Sequence, residues 1–294
     1  MTDPAELVAL PPLMERTAGS PAVTVAVIDG PVSVDHPALT GQRIQEIDAG
    51  SPATCRSLSS SACLHGTFVA GMLAAKRGSG APAICPECSF LVRPIFSEAP
   101  SGNGDGPSAT PSELAAAIID SVRAGAHVVN LSAALAHPSS KGDSLLGEAL
   151  DYAAKRGVLI VAAAGNQGIV GSSAITRHPW VIPVVASGLD GRPMAQSNLG
   201  SSIGRQGLSA PGESITSLGP NGKAETLSGT SAAAPFVTGA IGLLWSEFPA
   251  ASPAEIKLAI SPRDARRRNS VVPPLLNAWA AYQAITLAHW RKAS

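Results

Sequence analysis

The sequence predicts an α/β fold: a doubly wound, mostly parallel β-sheet with helices on both faces. Unbroken apolar runs rich in β-branched residues recur along the chain, and such runs are typical of strands buried on both faces. They alternate with segments of helical periodicity, which favours crossover connections between parallel strands. The chain has 294 residues, 45% hydrophobic and 14% charged, and this composition indicates a sizeable core rather than extensive disorder.

The predicted elements begin after residue 20. Residues 1–20 are predicted to form a short helical segment, and residues 21–294 a single domain with no internal repeat or linker. The strands are predicted at Val23–Ile28, Phe90–Ile95, Val128–Leu131, Val158–Ala164 and Val181–Ala186, and the helices at Thr67–Ala75, Ser112–Ala124 and Leu145–Arg156, with a C-terminal amphipathic helix within Leu275–Trp290. Gly125 and Gly157 follow two of these helices, at the position where a left-handed residue ends a helix.

Charge and hydropathy exclude several classes of partner. The 21 basic and 21 acidic residues cancel, which gives no electrostatic argument for binding nucleic acid or an anionic membrane. The basic cluster at 263–268 is interpreted as a solvated loop. No run is long enough to cross a membrane and no secretory signal is visible, so we expect a cytoplasmic protein. Residues 102–106 lack the carboxylates of a calcium loop, and we expect neither a metal nor a cofactor.

A stretch of small and apolar residues at 232–245 follows the polar turn Ser228–Ser231. It predicts a helix buried on all sides, with Pro235 in the first turn, where a missing N–H costs little. Ser231 would then lie beside unpaired backbone N–H groups at the positive end of the helix dipole. Such a place stabilises negative charge on a neighbouring oxygen, as acyl transfer to a serine requires. Alone, the segment also fits a helix-capping serine.

Three further polar residues are predicted at the edge of the sheet where its strands end. Asp29 ends the first strand, His65 opens a helix, and Asn166 follows the strand that ends at Ala164. A serine nucleophile needs a base, a carboxylate that orients the base, and donors for the oxyanion. Each residue alone has a more common explanation as a cap or turn residue. Together with Ser231, in this order, they predict a nucleophilic serine site.

These residues resemble the motifs of the subtilisin-like serine peptidases, from about residue 22 to about residue 246. The matching segments are Ala26–Gly30, His65–Gly71, Val161–Asn166 and Gly229–Pro235. The resemblance implies a subtilisin-like fold, a catalytic triad of Asp29, His65 and Ser231, and an oxyanion hole that includes Asn166. It implies a serine endopeptidase that hydrolyses peptide bonds through an acyl-enzyme, with a peptide as its partner and no cofactor.

Within that family the chain is similar to the peptidases that process cyanobactin precursor peptides. The similarity lies in Leu10–Glu15, Asp29–Val32, Asp35–Pro37 and Cys88–Phe96, and includes Asp-Gly-Pro in place of the usual Asp-Ser/Thr-Gly. It implies that the chain processes a ribosomally made precursor peptide during natural-product biosynthesis. A broad-specificity intracellular subtilisin and a non-catalytic peptide-binding homologue are the alternatives.

Some of these relatives also transfer the acyl group to an amine and close a ring. Those carry a helical insertion over the active site, whereas only 35 residues separate Asp29 from His65 here. Without such a lid, water reaches the acyl-enzyme, and hydrolysis is favoured over transpeptidation.

The same resemblance implies a substrate-binding segment. Ser132, Ala133 and Ala134 stand where the family has Ser-Leu-Gly or Ser-Gly-Gly, and Ala164 and Gly165 are also expected to bind substrate. The methyl group of Ala134 would narrow the neighbouring specificity pocket, so we expect small or unusual side chains before the scissile bond.

The four cysteines fall into two local pairs. Cys55 and Cys63 are spaced C-x7-C, and Cys85 and Cys88 are spaced C-x2-C. Disulfides within each pair are favoured over a zinc site, because the first pair is too widely spaced for a zinc ribbon or finger. All three disulfide connectivities stay open, and a reducing cytoplasm would leave the thiols free.

Overall fold

In the computed structural model, which describes residues 3–47, 54–98, 109–132, 144–261 and 269–293, seven strands pair in parallel in one sheet. They are β1 (Thr24–Asp29), β2 (Ile44–Glu46), β3 (Ser89–Pro94), β4 (Val128–Leu131), β5 (Leu159–Ala163), β6 (Val181–Ser187) and β7 (Leu208–Pro211). Their order in space is β2-β3-β1-β4-β5-β6-β7. Two further strands, β8 (Ile215–Leu218) and β9 (Ala224–Leu227), form an antiparallel hairpin.

Helices connect the strands. Among the described residues they are α1 (Pro4–Leu7), α2 (Pro11–Arg16), α3 (Ser61–Ala74), α4 (Pro111–Arg123), α5 (Ser144–Arg156), α6 (Ala174–Arg177), α7 (Ser201–Gln206), α8 (Thr230–Glu247), α9 (Pro253–Ile260) and α10 (Ala278–Ala293). N-terminal capping explains where several of these helices begin. In α4, Thr110 and Glu113 form a reciprocal capping box, with proline at the first helical position.

Successive side chains of the strands point into two separate hydrophobic clusters. In β1, Val25 and Val27 belong to the cluster that contains α3 and α8, whereas Ala26 and Ile28 belong to the cluster that contains α4 and α5. Because successive strand residues point to opposite faces, both faces of the sheet are buried under helices. The predicted α/β fold is therefore confirmed.

The N-terminal segment packs into the larger of these clusters. Val8, Leu10 and Leu13 have no exposed surface. The backbone N–H of Ala278 in α10 donates a hydrogen bond to the carbonyl oxygen of Val8, at 2.9 Å. The described part of residues 1–20 thus shares its core with the rest of the chain.

Each of the five predicted strands overlaps an observed strand, whereas the strands β2, β7, β8 and β9 and the helices α6, α7 and α9 were not predicted. The strand β2 is short and largely exposed, so it lacks an apolar run. The strand β7 contains Ser209 and Pro211, and each strand of the hairpin β8–β9 has only four residues, of which the middle two are polar. The predicted C-terminal helix begins three residues later, at Ala278.

Residues 102–106 and 263–268, interpreted above as a non-calcium loop and a solvated basic loop, lie outside the described residues. Within the part of the chain that the structure describes, no helix is long and apolar enough to cross a membrane.

Candidate active site

Asp29, His65 and Ser231 are joined by two hydrogen bonds. His65 Nδ1 lies 2.7 Å from Asp29 Oδ1, and His65 Nε2 lies 2.8 Å from Ser231 Oγ. Asp29 is the last residue of β1, the strand from which the chain proceeds to β2 and β3 on one side and then to β4 on the other. A crevice forms outside the carboxyl ends of the strands at such a reversal of strand order, and ligands bind there in open α/β sheets.

Two glycines allow α3 to approach the end of β1. A Cβ atom at Gly30 would overlap the carbonyl oxygen of Ala62, and one at Gly66 would overlap the carbonyl oxygens of residues 30 and 31. The close approach puts the helix directly against Asp29. His65 is the fifth residue of this helix, which begins at Ser61, so the prediction that His65 opens a helix is wrong.

The carboxylate of Asp29 is completely buried. Its Oδ1 accepts hydrogen bonds from the backbone N–H of Gly30, at 2.6 Å, and from His65. Burial of the imidazole lowers the pKa of His65, but the charge of Asp29 and its hydrogen bond outweigh burial, and the net effect raises that pKa above its ordinary value. The His65 side chain is still 25% exposed.

Ser231 is the second residue of α8, after Gly229 at the N-cap with a φ of 136°. In that position its backbone N–H has no carbonyl partner within the helix. Pro235 is the sixth helical residue, in the second turn, so its predicted position in the first turn is wrong. Because proline has no N–H, the carbonyl oxygen of Ser231 receives no hydrogen bond from one turn ahead.

Asn166 is exposed and follows β5. Its Oδ1 accepts hydrogen bonds from the backbone N–H of Thr230, at 2.9 Å, and from the Thr230 hydroxyl, at 3.1 Å. Thr230 immediately precedes Ser231. With Oδ1 engaged in this way, the amide nitrogen of Asn166 is left to donate toward a group beside the serine.

Ser132 follows β4 and is joined to α8 through two buried side chains. Asn130 Nδ2 donates to the Ser132 hydroxyl at 2.9 Å, and the hydroxyl of Thr238 donates to Asn130 Oδ1 at 2.8 Å. Asn130 and Thr238 are both fully buried. This polar chain links the helix of Ser231 to the segment expected to pair with substrate.

The other residues expected to bind substrate differ in how far the structure describes them. Ala133 and Ala134 lie outside the described residues. Ala164 and Gly165 are buried directly before Asn166, and the backbone N–H of Gly165 donates to the Thr230 hydroxyl at 3.2 Å. His65, Asn166 and Gly165 are thus hydrogen-bonded to the Thr230–Ser231 turn, whereas Ser132 is linked to Thr238 further along α8.

Sequence reasoning missed the residues that support this arrangement: Asn130, Asn198, Thr230 and Thr238. A hydroxyl within a helix that is otherwise small and apolar is a signal of a buried partner, and Thr238 has that signal. Asn198 lies in the loop between β6 and α7 and carries no such signal.

The structure joins Cys55 and Cys63 in a disulfide. Cys63 lies on α3, two residues before His65. The carboxylate of Glu98 accepts hydrogen bonds from the backbone N–H groups of residues 56 and 57, and its oxygen lies within 4.8 Å of both sulfurs. Because the sulfurs are bonded to each other, they are not thiolate ligands for zinc in this structure.

The predicted second disulfide is absent, because Cys85 and Cys88 are free buried thiols. Both sulfurs pack against α8, where a Cβ at Gly242 would lie 3.4 Å from Cys85 Sγ and 3.5 Å from Cys88 Sγ. The hydrogen bond with Cys88 and burial raise the pKa of the Cys85 thiol well above its ordinary value. The same hydrogen bond lowers the pKa of the Cys88 thiol below its ordinary value.

Known proteins with similar sequences are serine peptidases. The model of the subtilase family matches residues 20–267. Subtilisin DY from Bacillus licheniformis is 30% identical over 244 residues, which make up 81% of this chain and 82% of that protein. Other curated subtilisins are longer, and the chain spans 58% to 61% of three of them.

Known structures with the same fold include maturation proteases. The protease domain of PatA, solved as a mutant, has a TM-score of 0.83 and 32% identity, with 92% of this chain and 97% of that chain covered. The prenylagaramide maturation protease PagA has a TM-score of 0.80 and 30% identity, with 94% and 98% covered.

Proposed function

The chain belongs to the subtilase family and is a subtilisin-like serine endopeptidase, and from this premise we propose that it cleaves a ribosomally made precursor peptide with a triad of Asp29, His65 and Ser231. The observation that carries the triad is the continuous chain of two hydrogen bonds from Asp29 Oδ1 through His65 to Ser231 Oγ.

In the first half of the reaction Ser231 Oγ attacks the scissile carbonyl carbon. His65 Nε2 takes the hydroxyl proton as the new C–O bond forms, and Asp29 stabilises the resulting imidazolium. The negative charge moves to the carbonyl oxygen, where Asn166 Nδ2 and the backbone N–H of Ser231 donate hydrogen bonds. His65 then gives the proton to the leaving amine as the C–N bond breaks, which leaves the acyl group on Ser231.

In the second half water replaces the amine. His65 removes a proton from the water, the hydroxide attacks the ester carbonyl, and the Ser231 oxygen leaves with the proton that His65 returns. Access of water supports hydrolysis over transfer to an amine. His65 is partly exposed, Asn166 is exposed, and the described residues between β1 and α3 contain β2 but no helix that could cover the cleft.

Maturation of a precursor peptide is supported by likeness to PatA and PagA. PagA is a maturation protease by its name, and the chain covers 97–98% of these two structures at 30–32% identity. The likeness to subtilisin DY at 30% identity favours the second candidate, a protease of broad specificity. Because both candidates would use the same triad, they differ only in the range of substrates that they cleave.

We expect a serine-directed fluorophosphonate to form one covalent adduct, on Ser231, because His65 activates that hydroxyl. Intact mass and peptide mapping locate the adduct. Ser231→Ala should abolish it, and with a peptide substrate Ser231→Ala or His65→Ala should lower kcat on the order of 10⁶-fold. An adduct on the folded Ser231→Ala variant would contradict the triad. No adduct on the folded protein would support a non-catalytic, peptide-binding homologue.

A panel of unrelated folded and unfolded proteins tests the substrate class. A maturation enzyme should leave most of the panel intact while it cleaves precursor-type peptides at one site, as read by mass spectrometry. Broad cleavage of the panel would overturn the maturation proposal and leave the triad proposal standing. Cyclic or amine-capped products would contradict simple hydrolysis.

A further inference from the structure

We propose that Asn198 is a positioning residue for the oxyanion hole, which acts by holding the backbone on both sides of Asn166. This inference rests on the proposed function, because it takes Asn166 as an oxyanion donor. Asn198 is 6% exposed and lies in the loop between β6 and α7, on a different part of the chain from the triad.

Both peptide groups that flank Asn166 are bonded to Asn198. The backbone N–H of Asn198 donates to the carbonyl oxygen of Gly165, at 2.9 Å, which belongs to the peptide before Asn166. The side-chain Oδ1 of Asn198 accepts from the backbone N–H of Gln167, at 3.0 Å, which belongs to the peptide after Asn166. Since the two peptides set the backbone dihedrals of Asn166, Asn198 fixes the direction in which the Asn166 side chain leaves the loop.

The Asn198 side chain uses its remaining hydrogen-bonding capacity on the same loop. Its Oδ1 also accepts from the N–H of Ile169 at 3.3 Å, and its Nδ2 donates to the carbonyl oxygen of Ala164 at 3.1 Å and to Gln167 Oε1 at 2.6 Å. One buried amide therefore makes all four of the hydrogen bonds available to it within residues 164–169.

Asn166 is thus held from two directions. Thr230 holds the end of its side chain, through two hydrogen bonds to Oδ1, and Asn198 holds its backbone. The loop also has hydrogen bonds that do not use the Asn198 side chain, from Leu199 N–H to the Ile169 carbonyl at 2.9 Å and from Gly168 N–H to the Gln196 carbonyl at 2.7 Å. Removing the side chain should therefore loosen the centre of the loop without unpairing its ends.

The test compares rates of fluorophosphonate labelling of Ser231, because the phosphonyl oxygen of the probe occupies the oxyanion position. Asn166→Ala should slow labelling by about 10²- to 10³-fold. A misplacement of about 1 Å at a reacting group can cost on the order of 10²-fold, so we expect Asn198→Ala to slow labelling by about 10- to 100-fold. In the Asn166→Ala background, Asn198→Ala should change the rate by less than about 2-fold, since it acts through Asn166.

Ser197→Ala is the matched control. Ser197 is 3% exposed, adjacent in sequence, and its hydroxyl bonds to the N–H and carbonyl of Ala186 rather than to the oxyanion loop. It should lower the melting temperature without slowing the labelling of Ser231. If Asn198→Ala does not fold, Asn198→Ser replaces it, because a hydroxyl can still accept one of the two loop N–H groups.

The outcomes separate this inference from the proposed function. If Asn166→Ala leaves the rate unchanged, the oxyanion role of Asn166 in the proposed function is wrong, and the role of Asn198 is wrong with it. If Asn166→Ala slows labelling and Asn198→Ala slows it by the same factor in both backgrounds, the oxyanion role stands and Asn198 is merely structural. An unchanged rate in folded Asn198→Ala also overturns the inference.

Discussion

At the scale of single residues, the protonation of His65 controls the proposed reaction. The imidazole must be neutral to accept the Ser231 proton, and Asp29 favours its charged form. Because the pKa of His65 is higher in the folded than in the unfolded state, protonation also contributes to stability. That contribution is fully present below the unfolded pKa of about 6.5 and is lost as the pH rises through the folded pKa.

The rate of Ser231 labelling should therefore rise with pH. The midpoint of this rise, the limb of the pH–rate profile, should lie above the ordinary histidine pKa of about 6.5. Asp29→Asn removes the charge that raises the His65 pKa, so it should move the limb to lower pH and also slow labelling. The measurement is the second-order rate constant for a fluorophosphonate between pH 5 and pH 9, at constant ionic strength.

Asp151→Asn provides the control for this pH profile. His178 Nε2 lies 3.1 Å from Asp151 Oδ1, so the chain contains a second histidine–aspartate contact that does not include Ser231. Its loss should leave both the rate and the limb unchanged. A limb that stays at the same pH in Asp29→Asn would refute the coupling of Asp29 to His65.

At the scale of elements, α3 and α8 carry His65 and Ser231, the proposed base and nucleophile, on the same face of the sheet. Side chains of both helices belong to one hydrophobic cluster, and the carboxylate comes from β1 between them. The triad distances therefore depend on how these elements pack. A buried hydrogen bond between Thr238 on α8 and Asn130 on β4 attaches α8 to the strand next to β1.

Thr238→Val should destabilise the protein by about 1–3 kcal/mol, because valine keeps the shape of threonine but leaves the buried Oδ1 of Asn130 without its donor. Urea unfolding followed by circular dichroism measures the change, with Ser231→Ala as the common background to prevent self-cleavage. Thr286→Val is the control, since its hydroxyl bonds to a helix carbonyl on the exposed side of α10, and it should stay within about 0.5 kcal/mol. Equal effects of the two substitutions would show that the buried hydrogen bond contributes no more to the free energy of unfolding than the exposed one.

At the scale of the whole molecule, the fold was predictable where the apolar pattern was long. The central strands are buried on both faces, so each needs an unbroken apolar run, and a run such as residues 158–164 predicts the strand directly. The strand β2 and the hairpin β8–β9 are short and partly exposed, so their pairing depends on neighbours that no local pattern encodes.

The candidate site was predictable to a similar extent. The triad residues stand in segments whose residue types suit their chemistry, but their supporting hydrogen bonds join parts of the chain far apart in sequence. Asn198 meets Gln167 across 31 residues, and Thr238 meets Asn130 across 108 residues. The prediction of a disulfide between Cys85 and Cys88 was wrong, because their spacing is compatible with either state and only the structure shows two free thiols.

The N-terminal segment provides the last prediction, which concerns whether the molecule unfolds as one unit. Leu13 lies on α2 and has no exposed surface, and its cluster also contains side chains of α3 and α8. Leu13→Ala in the Ser231→Ala background should therefore lower the free energy of unfolding by about 2–5 kcal/mol. It should also shift a single urea transition of the whole protein rather than create an earlier one.

Leu258→Ala serves as the reference for this substitution, because Leu258 on α9 is 68% exposed and its truncation should change stability by less than about 0.5 kcal/mol. If residues 1–20 were an appendage on an independent domain, Leu13→Ala would release α1 and α2 in a separate early transition and leave the main midpoint unchanged. A single shifted transition would instead mean that the N-terminal segment stabilises the same core that supports α3 and α8, and hence the spacing of His65 and Ser231.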